Sequence, residues 1–503
     1  MLSEQDLKAI SQKGIARETI EQQLEQFRHG APKLDISGSA SINNGIIKLE
    51  GEDIHYYANL FDHEASEKEI VKFIPASGAA TRMFKPLFQF IKDQQFTDTV
   101  SYFFQHLESF PFYHILKDKI SAKGESLEQL LQNQEYYKIG KYILFEEGLN
   151  LGDKPKGLLP FHTYGNLAVT PVEEHLDEAA KYCRQKHNII HIHFSVAPEW
   201  KSHFKNFIKE KKSKYEQKYN VRYIITLSTQ KENTDTIAVD PDNTPFRQND
   251  GSLLFRPGGH GALLENLNEI DADLIFLKNI DNVSKNIAQN HNYIHYKKVL
   301  GGYLLSIQKQ ICYYLRELDR DNVSSELIET VLNFIQNSLF TSNPPDIYHR
   351  EQSEIKQYCI HKLNRPVRVC GMIQNTGEPG GGPFWVKEKD GSESLQIVEK
   401  SQIDFSDNLQ KAYFNNATHF NPVDIVCGIK DCEDNFFNLH EFKDPDQVFI
   451  SEKSKEGKPL KALELPGLWN GSMRDWNTIL IEVPRDTFTP VKTILDLVRP
   501  EHQ

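Results

Sequence analysis

The sequence predicts an α/β protein: a mixed, mostly parallel sheet with a helical insertion and α+β flanks. Three observations carry this. Short apolar runs, among them Val71 to Ile74, Ile189 to Val196, Leu274 to Leu277 and Val367 to Ile373, read as buried strands. The stretches between them place apolar residues at helical spacing, and strands alternating with helices imply a sheet covered on both faces. Three strands run out into small or polar residues, at Ser77 to Arg82, at Gly258 to Gly261 and at Asp281-Asn282. In open α/β sheets, ligands lie beyond the carboxyl ends of the strands.

Composition narrows the class. The chain has 503 residues, 39% apolar and 25% charged, which suits a soluble globular protein. A net charge of −12 argues against a nucleic-acid partner, which calls for a basic footprint. Six cysteines, at positions 183, 312, 359, 370, 427 and 432, have no metal spacing and are read as reduced thiols. The acidic, polar start is no signal peptide, and no apolar run approaches membrane-spanning length, so a cytoplasmic protein with no membrane partner is expected.

In chain order, residues 3–28 read as helix, capped by Ser3 and broken near Gly14. Ile46 to Leu49 reads as a short strand. Residues 1–70 form an N-terminal flank, 71–430 the main domain and 431–503 a C-terminal region packed on it. Within the main domain, residues 84–150 are dense in Phe, Tyr and Leu and read as a helical insertion. Its aromatics pack it onto the core or, in a functional reading, form a lid. Thr170-Pro171 opens a helix, Pro198 to Lys211 continues the alternation, and Tyr223 to Leu227 is a strand. His191 and His193 share a strand face and read as structural rather than as a metal pair. Residues 283–340 read as helical; His291 and His295, four apart, lack a third ligand and read as solvent-facing. A Gly/Pro-rich loop, Gly377 to Pro383, precedes a strand at Leu395 to Val398, and a late strand covers Thr478 to Val483.

The chemistry concentrates in a split stretch. Its first half is Pro75-Ala76-Ser77-Gly78-Ala79-Ala80-Thr81-Arg82-Met83, a strand feeding a loop whose bare backbone can approach a phosphate. Its second half is Pro155-Lys156-Gly157-Leu158-Leu159-Pro160. Arg82 and Lys156 supply positive charge, and Asp281 can hold a magnesium ion.

These motifs, with Gly258 to Gly261, Asp281-Asn282, Val398-Glu399-Lys400-Ser401-Gln402 and Phe414-Asn415-Asn416-Ala417 in the same order, resemble the sugar nucleotidyltransferases, especially the UDP-N-acetylhexosamine pyrophosphorylase branch. The strings Pro75 to Met83 and Asn375 to Pro383 also resemble an uncharacterised bacterial family found largely in Bacteroidetes. The first resemblance implies a Rossmann-like sheet of the GT-A-like nucleotidyltransferase type. It implies a reaction in which a nucleoside triphosphate, UTP, and a sugar 1-phosphate give a nucleotide-sugar and pyrophosphate, with Mg2+ as cofactor. By the same resemblance, Arg82 and Lys156 are catalytic. Ser77, Gly78, Ala79, Ala80, Thr81, Gly258, Gly259 and His260 bind the nucleotide. Glu399 and Asn415 contact the sugar, with Arg474 standing in for a late lysine of the family. Asp281 binds the metal, and Glu482, which ends a late strand in this chain, is read as a second ligand. The family's glycine before Thr-Arg is Ala80 here, which sets a methyl group beside the expected phosphate. Two other readings are a metal-dependent glycosyltransferase and a non-catalytic nucleotide-sugar binder.

Overall fold

The computed structural model describes residues 2–285, 291–377 and 380–503. The chain divides into two compact units: Met1–Val71 with Thr229–Leu277 and Tyr296–Pro484, and Lys72–Ser228 with Lys278–His295 and Arg485–Gln503. The α/β expectation holds, with strands mixed and mostly parallel.

In the first unit the strand order is Ser41–Ile42, Gly45–Ile47, Asn477–Glu482, Val367–Gln374, Asp424–Gly428 and Leu274–Lys278. Gly45–Ile47, Asn477–Glu482 and Val367–Gln374 run parallel, and Asp424–Gly428 is antiparallel to Val367–Gln374. Burial is continuous along Val367–Ile373, as two-sided covering requires. A separate antiparallel sheet orders Ile36–Ser39, Gly382–Lys387, Glu393–Val398 and Thr341–Ser342, and another orders Phe255–Arg256, Thr236–Val239, Lys458–Glu464 and Phe449–Lys455. The N-terminal stretch is two helices, Glu4–Gln12 and Arg17–His29, capped by Ser3 and parted at Gly14, whose φ of 71° suits glycine. Their apolar faces, Ile10, Ile20, Leu24 and Phe27, pack on Ile237, Val239 and Leu463 of that last sheet.

In the second unit the order is Ile70–Pro75, Ile189–Val196 and Arg222–Thr229, with helices Pro171–Tyr182 and Lys201–Tyr219. The predicted insertion is helical: Lys85–Asp93, Asp98–Gln105, Tyr113–Ser121, Leu127–Gln132 and Tyr136–Leu144. Its aromatics pack on one another, Phe90 on Phe104 with centroids 5.6 Å apart and Phe103 on Phe110 at 4.7 Å. The same apolar cluster takes in Val491, Ile494 and Leu497 of the C-terminal segment. Edge-to-face and tilted rings at these distances add to simple area burial.

Two expectations change. Cys312 and Cys432 form a disulfide, with Cα atoms 5.3 Å apart across 120 positions, so they are not reduced thiols. Only the fold brings them together, which spacing could not show; the other four cysteines are buried and form no disulfide among the described residues. The hairpin Phe449–Lys455 and Lys458–Glu464 was not distinguished, because its turn and outer ends are rich in Lys and Glu, as exposed strand ends are. His193 is structural as predicted: its ring nitrogens bond Thr226 Oγ1 and Ser228 Oγ, both at 2.7 Å, and it stacks on Phe73. The side chain of His291, and Glu378 and Pro379 of the Gly/Pro-rich loop, lie outside the described residues. Among the described residues no helix is long and apolar enough to cross a membrane, and no group of three His, Cys, Asp or Glu side chains converges.

Candidate functional site

Strand Ile70–Pro75 is buried for five residues and then releases the chain into the loop 76–79, followed by a short 3-10 turn, Ala80–Arg82. The loop is pinned from both sides. The Ala76 amide donates to Ser195 O at 2.7 Å, and the Ala80 amide donates to Lys154 O at 3.3 Å. The Lys156 amide donates to Gly78 O at 3.2 Å, so Ala79 and Pro155 form an isolated antiparallel bridge. The two halves of the split stretch are therefore one structure.

Between these pins, the amides of Ser77, Gly78 and Ala79 donate to no acceptor among the described residues, and all three residues are exposed. A Cβ built on Gly78 meets nothing within 4 Å. Thr81 and Arg82 are exposed as well, and the Arg82 guanidinium has no hydrogen bond or ion pair to a described residue. Three consecutive unpaired amides, followed in the chain by an unpaired guanidinium, make a positively polarised stretch suited to an oxyanion. The Ala80 methyl does not face this surface. It is fully buried in the apolar cluster with Met83, Phe84 and Leu87, which corrects its expected place beside a phosphate.

Lys156 reaches from the loop to the end of the Asp281 strand. Its Nζ donates to Asp281 Oδ2 at 2.8 Å and to Val491 O at 2.8 Å. A second lysine, which the sequence reading missed, completes the group: Lys492 Nζ lies 3.1 and 3.0 Å from the two Asp281 oxygens. Burial works to raise the Asp281 pKa, but Lys492 and Lys156 outweigh it and hold the carboxyl below its ordinary value. The segment that delivers Lys492 is fixed on the same strand end. Val491 N donates to Asp281 O at 3.0 Å, Thr489 N to Asn282 Oδ1 at 3.0 Å, and Thr489 Oγ1 to Val283 O at 2.9 Å. The Asp496 carboxylate then accepts from the amides of Lys492 and Thr493. A Thr-x-x-Asp capping pattern directly after Lys492 is the signal that could have marked this turn.

Beneath this group, Glu178 is wholly buried and satisfied by Lys72 at 3.2 Å, Lys278 at 3.1 Å, Tyr293 at 3.0 Å and Tyr182 at 2.8 Å. This knot ties the helix Pro171–Tyr182 to the strands that carry the loop and Asp281. A buried charge pair with every partner present holds geometry more than it adds stability.

The sequence reading assigns Mg2+ to Asp281 and Glu482. Asp281 already faces two ammonium groups, so its single charge is more than matched. Glu482 belongs to the other unit, at 3.3 Å from His419 Nε2. With both ammonium groups in place Asp281 does not fit a divalent cation, which takes oxygen ligands with charge to spare.

The other predicted residues are in the first unit. Gly258, Gly259 and Gly261 form a tight turn against residues 464–466: a Cβ on Gly258 would stand 2.4 Å from Thr234 O, and one on Gly261 2.1 Å from Pro466 O. Gly259, at φ 74°, lies against Glu464. His260 stacks on Trp469, with centroids 4.4 Å apart, accepts from the Leu468 amide, and is pushed down to about 4 by burial, so it is neutral. Glu399 lines a depression of about 690 Å3 with Lys33, Lys400 and Phe405; burial, then the nearby Glu464, raise its pKa. Asn415 ends the helix Asn408–Asn415 and is exposed. Arg474 is buried and bonded to Glu388, Ser394 Oγ and Lys387 O.

Comparison with known proteins gives the following. No curated protein matches the chain. Among solved structures the chain is similar to the uridine diphosphate N-acetylglucosamine pyrophosphorylase of Trypanosoma brucei, with 12% identity over 96% of this chain and 74% of the other, and a TM-score of 0.48. It is similar to a mutant UDP-glucose pyrophosphorylase of Leishmania major, with 14% identity over 99% and 80% and a TM-score of 0.46. A second mutant of that enzyme, in complex with UDP-glucose, gives 13% over 98% and 78% at 0.45. The model of one family, described as a domain of unknown function (DUF4301), matches residues 3–503, and the chain belongs to that family.

Proposed function

We propose that the chain is a nucleotidyltransferase that joins a sugar 1-phosphate to a nucleoside triphosphate, with uridine as the base, and releases pyrophosphate. The observation that carries this reading is the anion loop: three exposed residues with unpaired amides, Ser77, Gly78 and Ala79, followed by the exposed Arg82 and pinned to Lys156 by its backbone. A loop of this kind takes the oxygens of a triphosphate, and Lys156 and Lys492 stand together on Asp281 to meet the α-phosphate.

An oxygen of the sugar phosphate attacks the α-phosphorus in line. The bond from that phosphorus to the bridging oxygen breaks, and pyrophosphate leaves with the electron pair. The attacking group is already an anion, so no side chain has to remove a proton. The chain's task is to position two anions and to neutralise charge as it spreads over the transferred group. Arg82 and the loop amides hold the β- and γ-phosphates in this scheme. Lys156 keeps one N–H beyond those given to Asp281 and Val491, and that proton is available to the α-phosphate.

The rival reading is a binder without turnover. The burial of the Ala80 methyl and the presence of Lys492 on Asp281 favour turnover over it. Pyrophosphate release, measured with UTP and the other nucleoside triphosphates against a panel of sugar 1-phosphates, tests the proposal. Turnover with at least one pair is expected. UTP binding without release in any combination would favour the binder.

A further inference from the structure

Behind the anion loop lies a second, separate concavity, wholly within the second unit. It has a volume of about 230 Å3 and is lined by Phe112, Leu149, Leu151, Leu158, Phe207 and Ala168. A cavity of about 150 Å3 admits benzene, so this one has room for a single ring with a short side arm.

Its polar atoms are few and unbalanced. Lys154 lines the cavity, half-buried, and its Nζ donates to Leu149 O at 2.9 Å with no carboxylate partner among the described residues. Burial, and then the charge of Lys119, press its pKa down, which is the mark of a cation short of an anion. Lys211 also lines the cavity; it pairs with its exposed neighbour Glu210, and its charge acts on Glu173 as well. One carboxylate, Glu173, is present, but its oxygens are turned to Thr170 and Tyr215. Burial raises the Glu173 pKa, so its charge is the less firmly held. The cavity therefore sets two lysines against one carboxylate whose oxygens are engaged by Thr170 and Tyr215, beside an apolar lining.

We propose that this cavity is a binding site for a compact apolar molecule carrying one carboxylate, an aromatic acid of about the size of phenylacetate. The ring fills the Phe112–Leu158–Phe207 chamber, and the carboxylate meets Lys154. The location gives the site a consequence. Lys154 contributes the cation through its side chain and, through its carbonyl, accepts the Ala80 amide that pins the anion loop. An occupant that orders Lys154 tightens that pin. The inference does not depend on the proposed reaction, since binding is read without nucleotide.

The test is calorimetric titration of the full chain with phenylacetate and with its neutral isostere phenylacetamide, alongside the variants Lys154→Met and Ala168→Phe. Saturable binding of phenylacetate is expected, weakened about tenfold or more for the amide and for Lys154→Met, as for loss of a charge-assisted hydrogen bond. Ala168→Phe, which fills the chamber and leaves Lys154 in place, is expected to abolish it. Hydrogen exchange of the Ala80 amide is expected to slow on saturation. Absence of saturable heat up to about 10 mM, equal binding of acid and amide, or undiminished binding to Ala168→Phe overturns the site. Unchanged exchange at Ala80 overturns its link to the loop.

Discussion

Lys492 Nζ stands within 3.1 Å of both oxygens of the Asp281 carboxylate, although 211 positions of sequence separate the two residues. The lysine side chain is about half exposed, at 53%, so its ion pair with Asp281 adds little to stability, about 1 kcal/mol or less. Its charge is turned towards the surface that Lys156 also faces. Lys492→Met is therefore expected to slow pyrophosphate release by tenfold or more, about 1.4 kcal/mol of transition-state stabilisation, with a melting temperature close to that of the unaltered chain. Steady-state kinetics and a thermal melt decide it; an unchanged rate removes Lys492 from the site.

Two substitutions in the loop should separate binding from folding. Gly78→Ala places a methyl in open space, so stability should hold. The same methyl enters the anion surface, and the KM for the triphosphate is expected to rise about tenfold through one lost amide contact of about 1.5 kcal/mol. Ala80→Gly should do the reverse. It deletes a fully buried methyl and frees the backbone, costing about 1 kcal/mol, with a smaller effect on KM. Urea unfolding and saturation kinetics on both variants check the contrast.

The Asp281 carboxyl titrates lower in the folded protein than in the unfolded chain. Its stabilising contribution is thus complete above the unfolded value, about 3.9, and is lost as pH falls through the folded value. Asp281→Asn removes that contribution at all pH values and leaves two ammonium groups without their anion. The variant should be less stable at pH 7 by about 3 kcal/mol, and the two stability curves should converge in acid. Parallel curves from pH 7 to pH 3 would show that Asp281 is not the group titrating.

The Cys312–Cys432 bridge closes a long loop and so restricts the unfolded chain. Removing it by Cys312→Ser, or by a reductant, is expected to cost about 2–5 kcal/mol. Non-reducing peptide mapping identifies the linked pair, and melts with and without reductant measure the cost.

How much of this was legible depended on distance along the chain. The strand at Ile70–Pro75 and its loop of small residues announced themselves locally, because apolar burial and bare backbone are properties of a few adjacent residues. That Lys156 belongs to the same loop was readable only as a resemblance; physically it rests on the Ala79–Pro155 bridge, a long-range contact. Lys492 escaped because a lone lysine carries no pattern of its own; only the Thr493-x-x-Asp496 cap that follows it marks the turn. The turn at Gly258 to Gly261 shows the opposite hazard. Its glycines are required by the approach of the 464–466 backbone and side chains, so a glycine-rich turn need not signal a ligand. Arg474 was read as a sugar ligand in place of a late lysine, and the fold commits it to Glu388 across 86 positions.

The pinning of Gly78 to Lys156 also orders events in time. The insertion between them is a run of short helices with its own aromatic core, rich in contacts between near neighbours, and such segments form fast. Closing the bare chain from Gly78 to Lys156 costs loop entropy, whereas closing it across a folded insertion costs much less. Under the proposed function, triphosphate binding is thus a late product of folding: on refolding, the far-ultraviolet helix signal should recover before UTP binding does, and a substitution that loosens the insertion core, such as Phe103→Ala, should widen that lag.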